Sequence, residues 1–171
     1  MDLPVRLSRV VLMVGLPSSG KTTWVRENTH NDRIVCSADH WHECMLDGSK
    51  ISYDYKVDEE HLAHTMCWRK FCWALRSGTR YARELVVDNT NLAISEIAPY
   101  VTETFSHGYR PEIIWVNENE GVCRDRNAER DRVPPLIMVK MIDKLNALVD
   151  QWPQHWPPLT RVWDYEDHTK T

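Results

Sequence analysis

The chain has 171 residues, with 21 Lys and Arg against 25 Asp and Glu and a formal net charge of −4. That balance excludes a global positive field for polyanions and leaves any such role to a local basic patch. Five cysteines form an odd set without a C-x-x-C pair, the first nine residues are too polar for a secretory leader, and no apolar run approaches a membrane span, so reduced thiols in a cytoplasmic protein are expected.

The length fits one α/β domain over 1–171. Short β-branched runs alternate with helical stretches, the pattern of a parallel sheet with crossover helices. The first predicted strand, Val10–Val14, runs straight into Gly15-Leu16-Pro17-Ser18-Ser19-Gly20-Lys21-Thr22. This G-x-x-x-x-G-K-T sequence between a strand and a predicted helix, Lys21–Asn28, is a phosphate-binding loop in its meaningful context. The glycines let backbone N–H groups curl inward, Lys21 supplies a point charge for the β- and γ-phosphates, and the Thr22 hydroxyl faces Mg²⁺. The expected nucleotide-binding set is Gly15, Pro17, Ser18, Ser19, Gly20, Lys21, Thr22 and Thr23, with ATP as donor and Mg²⁺ as its companion ion.

A second strand, Arg33–Cys36, leads into Ser37-Ala38-Asp39-His40-Trp41. A long helix over Glu59–Ser77 reads as apolar on most of its circumference, with Thr65, Arg69 and Arg76 on one polar strip. That strip is either a solvated edge or a phosphate-tracking stripe extended by Arg80 and Arg83. Gly78 closes this helix and Gly108 the next, Ile94–Ser106, at positions favouring left-handed caps. Between them the strand Leu85–Asp88 continues into Asn89-Thr90-Asn91. The strand Glu112–Val116 is followed by a helix, Gly121–Arg130, that opens a lid region at about 120–134. A last long helix, Pro135–Gln151, gives way to a Pro- and Trp-rich tail over 152–171, with a final strand at Arg161–Tyr165. Eight tryptophans against two phenylalanines read first as packing residues, with base stacking as the alternative.

Ligands of open parallel sheets bind beyond the carboxyl ends of the strands, so polar residues there carry the chemistry. Asp39 is a candidate general base for an acceptor hydroxyl or, more plainly, a helix N-cap. Asp88, in the Walker B position, is a candidate Mg²⁺ ligand or a turn residue. Arg126 and Arg130, four apart, share a helical face. They either neutralise charge growing between phosphates or pair with Asp125, Glu129 and Asp131 on a solvated surface. No N-K-x-D occurs, which argues against a GTPase. His40, His42, His61 and His64 lack thiolates or carboxylates at zinc-ligand spacing.

Taken in order, GLPSSGKTTW, SADHWH, VVDNTNL and CRDRNAERDRVP resemble the polynucleotide kinase branch of P-loop kinases, including bacteriophage and bacterial RNA-repair 5′-kinases. The resemblance spans about Val10 to Leu148. It implies a central sheet of order 2-3-1-4-5 with a helical lid and makes Asp39 the general base. It also implies that Asp88, Thr90 and Asn91 support acceptor or metal and that Arg126 and Arg130 are lid arginines. Bacteriophage members carry an arginine three residues after the catalytic aspartate, where it contacts the acceptor phosphate; here that position is His42. The expected activity is ATP-dependent phosphotransfer to a nucleic-acid hydroxyl, DNA or RNA, foremost a 5′-hydroxyl end. A hydroxymethylated pyrimidine within DNA, a small molecule (nucleoside, sugar or antibiotic) and a non-catalytic nucleotide-binding module are the alternatives.

Overall fold

The computed structural model describes residues 7–46, 50–53, 57–77 and 82–163, with 42–46, 50–53, 57 and 163 described by backbone alone. Its centre is β1 (Arg9–Val14), buried along nearly its whole length. A strand covered on both faces has no solvent side, which is why its sequence is a continuous apolar run rather than an alternation. β2 (Arg33–Cys36), β5 (Glu84–Val87), β6 (Glu112–Asn117) and β7 (Leu159–Trp163) complete a five-stranded sheet of order β2-β5-β1-β6-β7. All four pairings are parallel, with Val10 opposite Leu85 and Leu12 opposite Ile113. Numbered within this sheet alone, the order is 2-3-1-4-5, as the sequence implied.

The period-2 alternation divides β1 between two cores. Val10, Leu12 and Val14 join Phe71, Ile97, Tyr100 and Met138 on one face, while Val11 and Met13 join Val25, Val86 and Ile114 on the other. Full burial of each such side chain stabilises the fold by about 1.5–3 kcal/mol. The first face is covered by α3 (Glu60–Ser77), α4 (Ile94–Ser106) and α6 (Pro135–Asp150), and the second by α1 (Lys21–Asn28). Among the described residues, no helix is long and apolar enough to cross a membrane.

The structure departs from the sequence reading in four places. The stretch before α3 holds a one-turn helix, α2 (Asp39–His42), that starts at Asp39 itself rather than just after it as the N-cap reading has it, and an antiparallel hairpin of β3 (Glu43–Leu46) and β4 (Lys50–Tyr53) that the sequence pattern does not announce. β5 stops at Val87, so Asp88 is the first residue past the strand. β7 begins at Leu159 rather than Arg161, because Leu159 pairs with Ile113 and the Arg161 guanidinium lies 4.9 Å from the Trp115 ring centroid. Finally, α3 is apolar on a narrower face than expected: Ala63, Cys67, Phe71, Ala74 and Leu75 are buried, whereas Leu62, Met66 and Trp73 are 42–54% exposed. Gly108 adopts the expected positive φ of 78°; Gly78, Arg80 and residues 164–171 lie outside the described residues.

The tryptophans mostly pack. Trp68, Trp115, Trp152 and Trp156 sit against the larger core and Trp24 against the smaller. Trp152 and Trp156 meet edge to face, with Trp152 Nε1 donating to the Pro157 carbonyl at 3.2 Å.

Candidate active site

The loop after β1 takes its shape from backbone positions that few residues tolerate. Gly15 has φ +152°, and a Cβ there would lie 2.9 Å from both Ser19 Oγ and the Val116 carbonyl. Gly20, the N-cap of α1, is left-handed, and Ser18 also has a positive φ of 62°. The Gly15 N–H donates to the Thr90 carbonyl at 3.0 Å, tying the loop to the end of β5. No side chain caps α1 and no acid occupies its first turn, so its leading N–H groups form an anion site backed by the helix dipole. Beneath this turn Ser19 Oγ is buried without a hydrogen-bond partner among the described residues. An orphaned hydroxyl, uncapped amides and a buried ammonium together fit a polyphosphate.

That ammonium is Lys21, only 8% exposed, whose Nζ donates to the carbonyls of Gly15 at 3.1 Å and Leu16 at 2.7 Å. Burial pushes its pKa down from the usual range, opposed by the negative charges of Asp88 and Asp39. Asp88 is buried just past β5 and accepts from the Thr22 hydroxyl at 2.7 Å. Burial raises its carboxyl pKa; Lys21 and the Thr22 hydrogen bond oppose that rise, and Asp39 adds to it. Asp39 therefore stands within electrostatic reach of both Lys21 and Asp88, although it is exposed at the start of α2. Thr22 and Asp88 offer the paired oxygens by which Mg²⁺ is commonly held together with substrate phosphates and water. Pro17, Ser18 and Thr23 are half-buried around the same turn.

The fourth strand end contributes an acid that the sequence reading passed over. Glu118, first residue beyond β6, is buried; its Oε1 accepts from the Asn119 N–H at 2.8 Å and its Oε2 from Arg126 Nη1 at 2.9 Å. The same Arg126 nitrogen reaches the Ser18 carbonyl at 3.4 Å, which aims the guanidinium at the phosphate loop. Arg126 rides on α5 (Glu120–Arg130), whose first turn is capped by Asn119 Oδ1 accepting from Gly121 and Val122 N–H. α5 ends in left-handed Asp131, and buried Asn127 closes that turn by bonding both the N–H and the carbonyl of Val133. Arg130, the last residue of α5, is exposed.

On the flank toward β2, the expected acceptor residues divide. Thr90 acts through its carbonyl on the phosphate loop, and Asn91, at φ +49°, donates its amide to the Met13 carbonyl at 2.8 Å. A hollow of about 300 Å³ lined by His64, Trp68, Asn91, Glu96, Pro99 and Tyr100 opens beside them between α3 and α4. A larger one, about 450 Å³, runs along α3 past Arg69, Trp73 and Arg76 and includes no strand-end residue. Arg76 there reaches Glu103 at 3.5 Å, which favours the solvated-edge reading of the polar strip. The His42 side chain lies outside the described residues. Asn89 was also missed: its Oδ1 accepts from the Ala38 N–H at 2.8 Å, joining the ends of β5 and β2. Both Asn89 and Glu118 follow strand ends, so the strand-end rule could have named them.

A family model described as an AAA domain, AAA_33, matches residues 10–142, from β1 into α6. The chain belongs to the AAA_33 family. The AAA_33 match takes in every strand-end residue described above. Among solved structures, the chain is similar to one from the Pnkp1/Rnl/Hen1 RNA repair complex, at 14% identity and TM-score 0.66, covering 95% of this chain and 51% of that one. It thus spans about half the length of that relative. It is also similar to Chaetomium thermophilum Kti12 in complex with ADP-AlF3, at 14% identity and TM-score 0.57, covering 94% and 92% of the two chains. A gluconokinase from Sinorhizobium meliloti gives 15% identity and TM-score 0.54, covering 92% and 83%. At these identities the likeness establishes the fold, that of P-loop kinases, and leaves the acceptor open.

Proposed function

We propose that this AAA_33 protein is an ATP- and Mg²⁺-dependent phosphotransferase acting on a hydroxyl of a nucleic acid, foremost a 5′-hydroxyl polynucleotide end. The observation that carries this reading is the grouping of buried Lys21, the Thr22–Asp88 pair and exposed Asp39 at three adjacent strand ends. Lys21 and the first-turn amides of α1 hold the β- and γ-phosphates, with Thr22 and Asp88 as the Mg²⁺ side of the site. The ion, when bound, screens charge between the transferring oxygens. Asp39 accepts the acceptor's hydroxyl proton as the new O–P bond forms and the bond from the γ-phosphorus to the β–γ bridging oxygen breaks, leaving ADP. Arg126, with Arg130, neutralises charge growing on the leaving oxygens. The likeness to a chain of an RNA repair complex supports the choice of acceptor, as do the ordered motifs.

A small-molecule acceptor is the second reading, favoured by the net charge of −4 and by histidine at position 42. Transfer of labelled γ-phosphate from ATP to 5′-hydroxyl DNA, 5′-hydroxyl RNA, hydroxymethyluracil DNA and free nucleosides separates the readings. In the same assay, Asp39→Asn is expected to keep ATP binding and lose transfer by about 10²–10⁴-fold. Near-normal transfer by that variant would remove Asp39 from the base role.

A further inference from the structure

The regular pairing of β2 with β5 ends where the Asp88 N–H donates to the Cys36 carbonyl at 2.9 Å. Beyond it the chain leaves the sheet and turns into α2, a helix of four residues whose first residue is Asp39. One helical turn has almost no stability of its own, so the backbone that carries Asp39 depends on what anchors the residues on either side of it. Within the turn the backbone bonds are local, the Asp39 N–H donating to Ser37 Oγ at 3.2 Å and the Trp41 N–H to the Ala38 carbonyl at 3.0 Å, while the exposed Trp41 indole N–H reaches Glu59 Oε2 at 3.1 Å.

Asn89 supplies an anchor to the rest of the fold. It is 7% exposed and accepts from the Ala38 N–H across 51 positions of sequence. Its other end is also engaged: Nδ2 donates to Cys67 Sγ at 3.3 Å, and the same sulfur accepts from the Tyr100 hydroxyl at 3.5 Å. Tyr100 is in turn fixed edge-on against Phe71, with ring centroids 4.9 Å apart, and against Trp68 at 5.3 Å. A buried amide bonded at both ends has one orientation, because turning it over would set donor against donor at Ala38.

We propose that Asn89 is a positioning residue for Asp39: it holds the Ala38 amide and so fixes the backbone from which the carboxylate is aimed at the acceptor hydroxyl. The assignment rests on the reading of Asp39 as the base. A helix face or an exposed aromatic would only gather substrate; this bond acts on the geometry of the proton acceptor itself. Small errors in such geometry have large kinetic consequences, on the order of 10²-fold for about 1 Å.

The test is a double-mutant cycle of Asn89→Ala and Asp39→Asn, read as kcat for the acceptor that the panel identifies, with KM for ATP and thermal unfolding alongside. Asn89→Ala is expected to lower kcat by about 10- to 100-fold with KM for ATP within about twofold. In the Asp39→Asn background the same change is expected to move the residual rate by less than about twofold, since a residue acting through Asp39 has nothing left to aim. Cys67→Ala keeps the bond to Ala38 and should hold kcat within about threefold. An equal fall with Asn89→Ala in both backgrounds, or a Cys67→Ala loss as large as that of Asn89→Ala, overturns the proposal in favour of general packing. Near-normal transfer by Asp39→Asn alone overturns the base assignment and this one with it, whereas an additive cycle removes only Asn89. If Asn89→Ala does not fold, Asn89→Ser, whose hydroxyl is too short to reach Ala38, carries the same cycle.

Discussion

The ends of β1 and β2 lie on the same edge of the sheet but are built on opposite plans. After β1, the turn is fixed by backbone: two glycines at positive φ, a lysine folded back on its own loop carbonyls and a threonine bonded to Asp88. After β2, the turn is fixed by side chains from elsewhere, with Asn89 reaching over from the end of β5 and Asp39 exposed on a single helical turn. A triphosphate is the same for every substrate pair, so its cradle can be rigid and local. On the proposed reading the acceptor is what differs between such enzymes, and the half that would receive it is assembled from replaceable parts.

The sharpest way to break this contrast is at the glycines. Gly15→Ala drives a Cβ to 2.9 Å from a backbone carbonyl and keeps a positive φ, so a stability loss of about 2–3 kcal/mol and loss of nucleotide binding are expected. Gly20 has nothing within 4 Å of its notional Cβ, and Gly20→Ala should cost only about 1 kcal/mol, the conformational penalty alone. Chemical denaturation with parallel nucleotide titration measures both. Equal losses would show that the crowding at Gly15 is relieved by a cheap shift and that the loop is less rigid than the β1 plan requires.

Next in size is the arginine that ties the phosphate loop to the end of β6. Arg126→Ala removes the 2.9 Å ion pair to buried Glu118. Arg126 is itself more than a third exposed, so a loss of about 1–2 kcal/mol is expected rather than the larger cost of a fully buried pair. Adding Glu118→Gln should then recover part of it. Arg130→Ala, at the exposed end of α5, should change stability by less than about 0.5 kcal/mol while still lowering transfer. If Arg126→Ala costs no more stability than Arg130→Ala, Glu118 does not depend on it.

Asp88 gives a smaller effect with a definite sign. Its folded-state pKa is raised by burial from 3.8, so the folded protein holds this proton more tightly than the unfolded chain does. Asp88 therefore costs nothing below the ordinary carboxylate range, and its cost grows as pH rises from about 4 toward its raised value. The stability of Asp88→Asn relative to the parent should accordingly climb over that interval while transfer is lost. Melting temperatures of the two proteins at pH 4 and pH 7 test this, and a difference that shrinks as pH rises would reverse the assignment.

The sequence revealed one plan far better than the other, for the same physical reason. A phosphate loop is a local object, so eight consecutive residues specify it, and central strands such as Val10–Val14 announce their burial by unbroken apolarity. The β3–β4 hairpin left only two four-residue runs around Asp47-Gly48, a turn signal that a search for parallel-sheet strands passes by. The narrower apolar face of α3 was misjudged because composition counts Leu62, Met66 and Trp73 as core, whereas packing leaves them in water. Asn89 and Glu118 sit where the strand-end rule points, yet their roles were hidden for another reason. Each is a single polar residue whose partner lies on another element, at Ala38 and Arg126, and only the folded sheet brings them together.

The least conspicuous effect bears most on the acceptor half. A polynucleotide held by phosphate contacts releases counterions, and its affinity falls with salt with a log–log slope of about −0.7 per contact for a single strand. The net charge of −4 removes long-range attraction, so any salt dependence must come from the few cations that touch the acceptor. A log–log slope of about −0.7 to −1.4 in acceptor affinity, read as 1/KM, is therefore expected for one or two contacts between low and physiological salt. The nucleotide site reports separately, because Lys21 and the helix amides act in a buried loop that salt screens weakly. A flat acceptor KM, with transfer intact, would transfer the preference to a small neutral substrate. A slope near −3 would instead require a basic track, and Arg69 on α3 would be the first residue to remove.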